Sequence, residues 1–161
     1  MGAPKITDKR WTIDLEKRIQ ESHYSDNPSR YSFDPNSDKE LFVIDTPPPY
    51  PSGTWHIGAV AQYSMIDVIA RSQRLIGKEV LFPWGVDRNG INIEFTVEKK
   101  TGKKMRTYDR VEFLDLCKET IELYTQSMRR TAKRVGLSCD YDNEYLTDSP
   151  NYRSVTQSIF I

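Results

Sequence analysis

Pro47-Pro48-Pro49-Tyr50-Pro51-Ser52-Gly53-Thr54-Trp55-His56-Ile57-Gly58-Ala59 is the stretch that decides how this chain is read. Leu41-Phe42-Val43-Ile44-Asp45-Thr46 precedes it, a short apolar run of buried-strand type. After it, Ile57, Val60, Ala61, Ser64, Met65, Val68, Ile69 and Leu75 recur at three- and four-residue spacing, so His56 to Ile76 reads as a helix closed by Gly77. A strand therefore enters a proline-stiffened turn that delivers a histidine to a helix mouth. Helix mouths attract anions, because their first amides are unpaired and the dipole is positive there. Gly53 and Gly58 let backbone approach a ligand closely. The expectation is a phosphate-binding turn with His56 aimed at the phosphate.

Outward from the turn, Glu79-Val80-Leu81-Phe82-Pro83-Trp84-Gly85 reads as a second strand. Strand, helix and strand make a βαβ unit with a parallel pair. Ligands of open parallel sheets lie beyond the carboxyl ends of the strands. Both strands run into unusual sequence there, the proline turn and Gly85-Val86-Asp87-Arg88-Asn89-Gly90. A shared site follows from that coincidence.

The rest of the chain reads as follows. Trp11, Ile13, Leu15 and Ile19 suggest a helix from about Asp8 to Ser22, and Tyr24 to Lys39 an irregular loop. Gly90 to Lys100 and Tyr108 to Val135 are helical, the latter with Phe113, Leu114, Cys117, Ile121, Tyr124, Met128 and Ala132 on one face. Residues 137–148 read as a polar connection, and Pro150 opens a further helix that is still running at Ile161. Two strands are too few for a doubly wound sheet of about five, so the chain reads as the first part of a larger α/β domain.

Composition narrows the class. Equal numbers of basic and acidic residues, 23 each, argue against a nucleic-acid coat or a membrane-surface binder. No apolar run approaches the roughly 20 residues of a bilayer span, and the charged start (Lys5, Asp8, Lys9, Arg10) lacks a signal-peptide core. A cytoplasmic location without membrane contact is expected. Cys117 and Cys139 stand in no metal-ligand spacing, and only His23 and His56 accompany them, so no protein-held metal is expected.

Pro-Pro-Pro-Tyr-Pro-x-Gly-x-x-His-Ile-Gly, from Pro47 to Gly58, resembles the "HIGH" signature of class I aminoacyl-tRNA synthetases. Asp67-x-x-x-Arg71, Gly77-Lys78-Glu79-Val80-Leu81-Phe82 and Gly85 to Glu94 look like the following strand and loop of the valyl, isoleucyl and leucyl subgroup. Thr156-Gln157-x-x-Phe160 is similar to the approach to that subgroup's editing insertion, and Asp45-Thr46 with the three prolines leans towards archaeal-type valyl members. The resemblance implies the N-terminal half of a Rossmann-like parallel-sheet catalytic domain over 41–161, with an N-terminal helix and loop extension over 1–40. The lysine-loop, editing and anticodon-binding parts are not among its residues.

What the resemblance implies about chemistry is residue by residue. His56 is the catalytic donor to the transferring phosphate; Gly53, Thr54, His56 and Gly58 bind ATP, carried with Mg²⁺. Pro48, Tyr50, Asp87 and Asn89 bind the amino acid, Asp87 by pairing with its ammonium group. The implied partners are ATP, valine, tRNA and the remainder of the catalytic domain. The implied activity is activation of valine to valyl-adenylate and transfer to tRNA. An isoleucine or leucine ligase of the same build, or a non-catalytic fragment that binds nucleotide or amino acid, are the alternatives. Ala59 stands where the signature's second histidine would be, and Arg88-Asn89 replaces the Cys-His pair common after the aspartate. Arg88 adds a cation near the site and Asn89 keeps a donor there.

Overall fold

In the computed structural model, which describes residues 8–27 and 29–161, the chain divides into two compact units, one ending at Arg30 and one from Tyr31 to Ile161. Of the charged amino-terminal start, Lys5 lies outside the described residues, whereas Asp8, Lys9 and Arg10 lie within them. The first unit holds α1 (Ile13–Asp26). It begins later than Asp8 because Thr12 caps it, its side chain accepting from Leu15 N at 3.1 Å, and it runs four residues past the expected end at Ser22.

In the second unit, β1 (Leu41–Val43) lies parallel to β2 (Glu79–Leu81), and α2 (Ile57–Leu75) crosses between them, so the βαβ unit is present. The expected second strand is divided. After Phe82 the chain continues as β3 (Pro83–Val86), which pairs in parallel with β4 (Asp140–Leu146). The division marks a change of partner along one extended run. Glu79 N and Leu81 O bond toward β1, while Phe82 O and Val86 O accept from Asp140 N and Thr147 N on the other edge. The backbone groups of successive strand residues point to opposite edges, so the run 79–86 bonds β1 on one edge and β4 on the other.

β4 corrects the expectation of a polar connection over 137–148. Asp140 is fully buried, and its carboxylate accepts four N–H bonds, from Phe33 N, Asp142 N, Asn143 N and Asn143 Nδ2. Those bonds fold the polar residues into a bulge: the ladder advances from Pro83 to Gly85 on one strand and from Asp140 to Tyr145 on the other. Polar composition here satisfies a bulge inside a strand.

Between β3 and β4 the chain makes α3 (Ile91–Thr101), a single 3-10 turn (Met105–Thr107) and α4 (Arg110–Val135). α3 and α4 enclose Ile93, Val97, Phe113, Cys117 and Ile121. Beneath the sheet the main core joins Tyr63 and Ala70 of α2, Val80, Phe82, Trp84 and Val86 of the central run, Met128 and Ala132 of α4, and Leu137 and Cys139. α5 (Pro150–Phe160) follows, capped by Ser149 and exposed along its length.

The periodicity of α2 predicts the helix but not its buried face. Met65, Val68, Ile69 and Leu75 are exposed, and the buried stripe is Tyr63, Asp67 and Ala70. Asp67 accepts from Ser138 N at 2.7 Å, from Ser138 Oγ and from Arg71 Nε at 2.6 Å. Arg74 reaches Ser138 Oγ at 2.6 Å and Ser138 O at 3.0 Å. Both guanidinium groups lie over the Tyr31 ring, 5.5 and 5.0 Å from its centre. One face of α2 thus clamps the corner between α4 and β4.

Burial pushes the Tyr63 phenol up to about 12, with the charges of Tyr145 and Cys139 adding to it. Burial also raises Cys139 and Tyr145. An unfolded chain ionises its phenols near about 10 and thiols near about 8.5, and so loses these protons before the folded one. The linked stability is whole below those values and is lost as pH rises through the folded ones. The urea midpoint is therefore expected to fall steadily from about pH 9 to 12, and less steeply in Tyr63→Phe. An equally steep fall in that variant excludes Tyr63 as a source.

Candidate functional site

Proline has no N–H, so the turn from Pro47 to Pro51 offers mainly carbonyls, and two of these anchor it. Pro47 O accepts from the Tyr63 hydroxyl at 2.9 Å, and Pro49 O accepts from Asp87 N at 3.0 Å. The second bond joins the proline turn to the end of β3, the two segments that sequence reading placed in one site. Trp55 completes the connection, stacking on Tyr63 with centroids 4.9 Å apart and lying 5.6 Å from Trp84. Of the expected pocket residues here, Pro48 is half-buried and Tyr50 is half exposed; Thr54 is exposed and Gly53 has open space where a Cβ would stand.

His56 is the N-cap of α2. Its Nδ1 accepts from Gly58 N at 3.1 Å and from Ala59 N at 3.4 Å. An imidazole nitrogen that accepts carries no proton, so in the neutral ring the proton is on Nε2, the outward donor. The ring also explains Gly58 sterically, since a Cβ there would stand 3.0 Å from His56 Cε1 and Nδ1. The open helix mouth expected from sequence is thereby altered. Two of its amides face the ring, and an anion arriving at this end would meet His56 Nε2–H.

Asp87, half-buried at the end of β3, accepts through Oδ1 from Asn89 N at 3.1 Å and from the Thr147 hydroxyl at 2.9 Å. No hydrogen bond among the described residues uses its Oδ2. Asn89 directs its amide N–H groups at Thr147, to the carbonyl oxygen at 3.0 Å and to Oγ1 at 3.1 Å, and so braces the turn. Arg88 does not stand as an open cation beside the site. Its guanidinium pairs with Glu122 and Asp148, each at 3.0 Å. The Arg88 hydrogen bond helps hold the Glu122 carboxyl below its ordinary range, after that of Gln126.

Tyr145 of β4 and Thr147, the residue after its end, join the site without having been expected there. Tyr145 lies across β3 so closely that a Cβ on Gly85 would fall 2.2 Å from its ring, which is why β3 has glycine at that point. Its phenol is raised by burial first, then by Tyr152 and by the negative charges of Asp45 and Asp87. Thr147 is buried and bonds to Asp87, Arg88 and Asn89. Neither Tyr63 nor Thr147 was expected here: Tyr63, whose hydroxyl anchors the turn, lies on a stripe of α2 that the apolar spacing did not mark, and Thr147 stands 60 residues from Asp87.

Among the described residues no group of three or more His, Cys, Asp or Glu could hold a metal ion, and no helix is long and apolar enough to cross a membrane.

A sequence model of the tRNA synthetases class I (I, L, M and V) matches residues 20–161. The chain is 42% identical to a valine–tRNA ligase of Aeropyrum pernix over 163 aligned positions, covering 98% of this chain and 20% of that protein. It is 47% identical to that of Archaeoglobus fulgidus (81% of this chain, 15% of that protein) and 42% identical to that of Rickettsia akari (81% and 16%). Among solved structures it is similar to the LeuRS of Agrobacterium radiobacter in a ternary complex with tRNA and LeuAMS. There the TM-score is 0.72 at 29% identity, over 90% of this chain and 16% of that one. The chain thus spans a fifth or less of the length of these relatives.

Proposed function

The chain belongs to the class I tRNA synthetases of the I, L, M and V family, and we propose that it carries the adenylate-forming part of a valine–tRNA ligase. In the proposed reaction a valine carboxylate oxygen attacks the α-phosphorus of ATP, supplied as its magnesium complex. A new P–O bond forms, the bond to the bridging oxygen breaks, and pyrophosphate leaves with that electron pair. A terminal ribose hydroxyl of tRNA then takes the valyl group and AMP departs.

The observation that carries the reading is the orientation of His56. Its cap fixes Nδ1 on the helix, which leaves Nε2–H to donate to an oxygen of the transferring phosphate as charge builds there. Asp87, whose N–H bonds to the proline turn, pairs through Oδ2 with the valine ammonium and so orients the attacking carboxylate. Gly53, Thr54 and Gly58 line the ATP side, and Pro48, Tyr50 and the Asn89 carbonyl oxygen the amino-acid side. A pocket with such apolar walls separates valine from isoleucine by size but discriminates weakly against threonine. The exposed apolar face of α2 fits against the remainder of the catalytic domain. The cytoplasm is the proposed place of work.

The test is ATP–pyrophosphate exchange by the full-length protein with valine, isoleucine, leucine and threonine in turn. Exchange strongest with valine is expected; exchange led by isoleucine or leucine reassigns the substrate, and silence with all four leaves a non-catalytic binding module. His56→Asn sharpens it. Asparagine is a strong N-cap, so helix and melting temperature should persist, while the Nε2 donor is gone. Exchange is expected to fall on the order of 100-fold, the scale of losing one donor to a transition-state oxyanion. Full activity in His56→Asn would remove His56 from the chemistry.

A further inference from the structure

Thr147 follows β4 immediately and is 6% exposed. Its hydroxyl oxygen accepts from Arg88 N at 2.8 Å and from Asn89 Nδ2 at 3.1 Å. A hydroxyl has one proton and two lone pairs. With both lone pairs engaged by donors, the proton has one remaining acceptor, Asp87 Oδ1, at 2.9 Å. Oδ1 also accepts from Asn89 N, so two donors hold that oxygen on the protein side and turn Oδ2 away. Thr147 N is itself bonded to Val86 O at 3.2 Å, which fixes the threonine relative to the strand that ends at Asp87. Among the described residues, the hydrogen bonds to this carboxylate thus come from its own turn and from Thr147.

We infer that Thr147 is a positioning residue for Asp87: it sets which carboxylate oxygen faces the amino-acid substrate and thereby controls amino-acid affinity without touching the substrate itself. The inference rests on the proposed role of Asp87 in holding the ammonium group. A hydrogen bond to an ionised group, lost inside a buried cluster, changes binding by about tenfold or more. Thr147→Val keeps the β-branched shape and removes the hydroxyl; Thr147→Ser keeps the hydroxyl.

The experiment is steady-state exchange by the full-length protein with valine and ATP varied separately. Thr147→Val should raise KM for valine about tenfold and leave KM for ATP unchanged, and Thr147→Ser should restore the wild-type value. In an Asp87→Asn background Thr147→Val should add nothing further, because the charge it orients is already absent. A general packing defect behaves otherwise, raising both KM values or adding to Asp87→Asn, and either result overturns the inference. Should Thr147→Val fail to fold, the comparison passes to Thr147→Ala against Thr147→Ser, and equal valine KM in those two overturns it as well. Absence of exchange in the unmodified protein overturns the proposed function and this inference together; exchange with an unchanged valine KM in Thr147→Val overturns this inference alone.

Discussion

On the proposed role of Asp87, Asp87→Asn is expected to cost on the order of 100-fold in valine-dependent exchange, because a charge-assisted hydrogen bond of the kind proposed to the substrate ammonium contributes about 1.5–3 kcal/mol. The loss should appear chiefly in KM for valine. Fold and stability are expected to persist, for reasons visible around the residue. An asparagine carbonyl oxygen can still accept from Asn89 N and from the Thr147 hydroxyl, as Oδ1 does now. Arg88, the adjacent cation, is neutralised by Glu122 and Asp148 and does not depend on Asp87. The substitution thus removes a negative charge while keeping the turn, which separates recognition from folding. Unchanged valine KM in a well-folded Asp87→Asn would show that the substrate ammonium is held elsewhere.

The largest loss of stability is expected at Asp67→Ala, on the buried stripe of α2. Asp67 is 6% exposed and Ser138 fully buried. The substitution leaves the Ser138 N–H without its acceptor and the Arg71 guanidinium without its carboxylate. Breaking a buried pair from one side costs about 3–5 kcal/mol; Arg71 is partly exposed, so the lower end, about 3 kcal/mol, is the expectation. For a chain of this size that lowers the melting temperature by about 10 °C. Asp67→Asn should lose less, because one carbonyl oxygen can still accept from Ser138 N. Calorimetric melting of the two variants beside the wild type measures the difference. Equal melting of all three would show that the α4–β4 corner is held by the Arg74 bonds to Ser138 and by packing alone.

The two sites differ in how much of them the sequence disclosed. Asp87 was marked because it follows an apolar run and matches the acidic residue of the resembled signature, and its carboxylate also builds the turn by accepting from Asn89 N. Asp67, one polar residue in a long helical pattern, gave no sign of burial. Its partners are Arg71, one turn away, and Ser138, which is 71 residues away. The apolar residues of α2 fixed its period, yet the stripe that is buried in this chain runs through Tyr63, Asp67 and Ala70.

By itself the sequence determined the local parts: the strand before Pro47, the helix that starts at His56, the parallel crossover, and the place of Asp87 at the end of the second apolar run. Each of these follows from hydrophobic period, proline and glycine chemistry, or capping, which act over a few residues. Tertiary structure alone decided that Asp-Tyr-Asp-Asn-Glu-Tyr-Leu, from Asp140 to Leu146, is a strand, because Asp140 gathers its donors from Phe33 as well as from its own bulge. It alone decided that Arg88 is neutralised and that Thr147 orients Asp87. Those outcomes depend on which donors and charges meet after the chain closes over 34 residues from Arg88 to Glu122 and over 58 to 60 residues from Asp87, Arg88 and Asn89 to Thr147 and Asp148. No short-range pattern records such meetings.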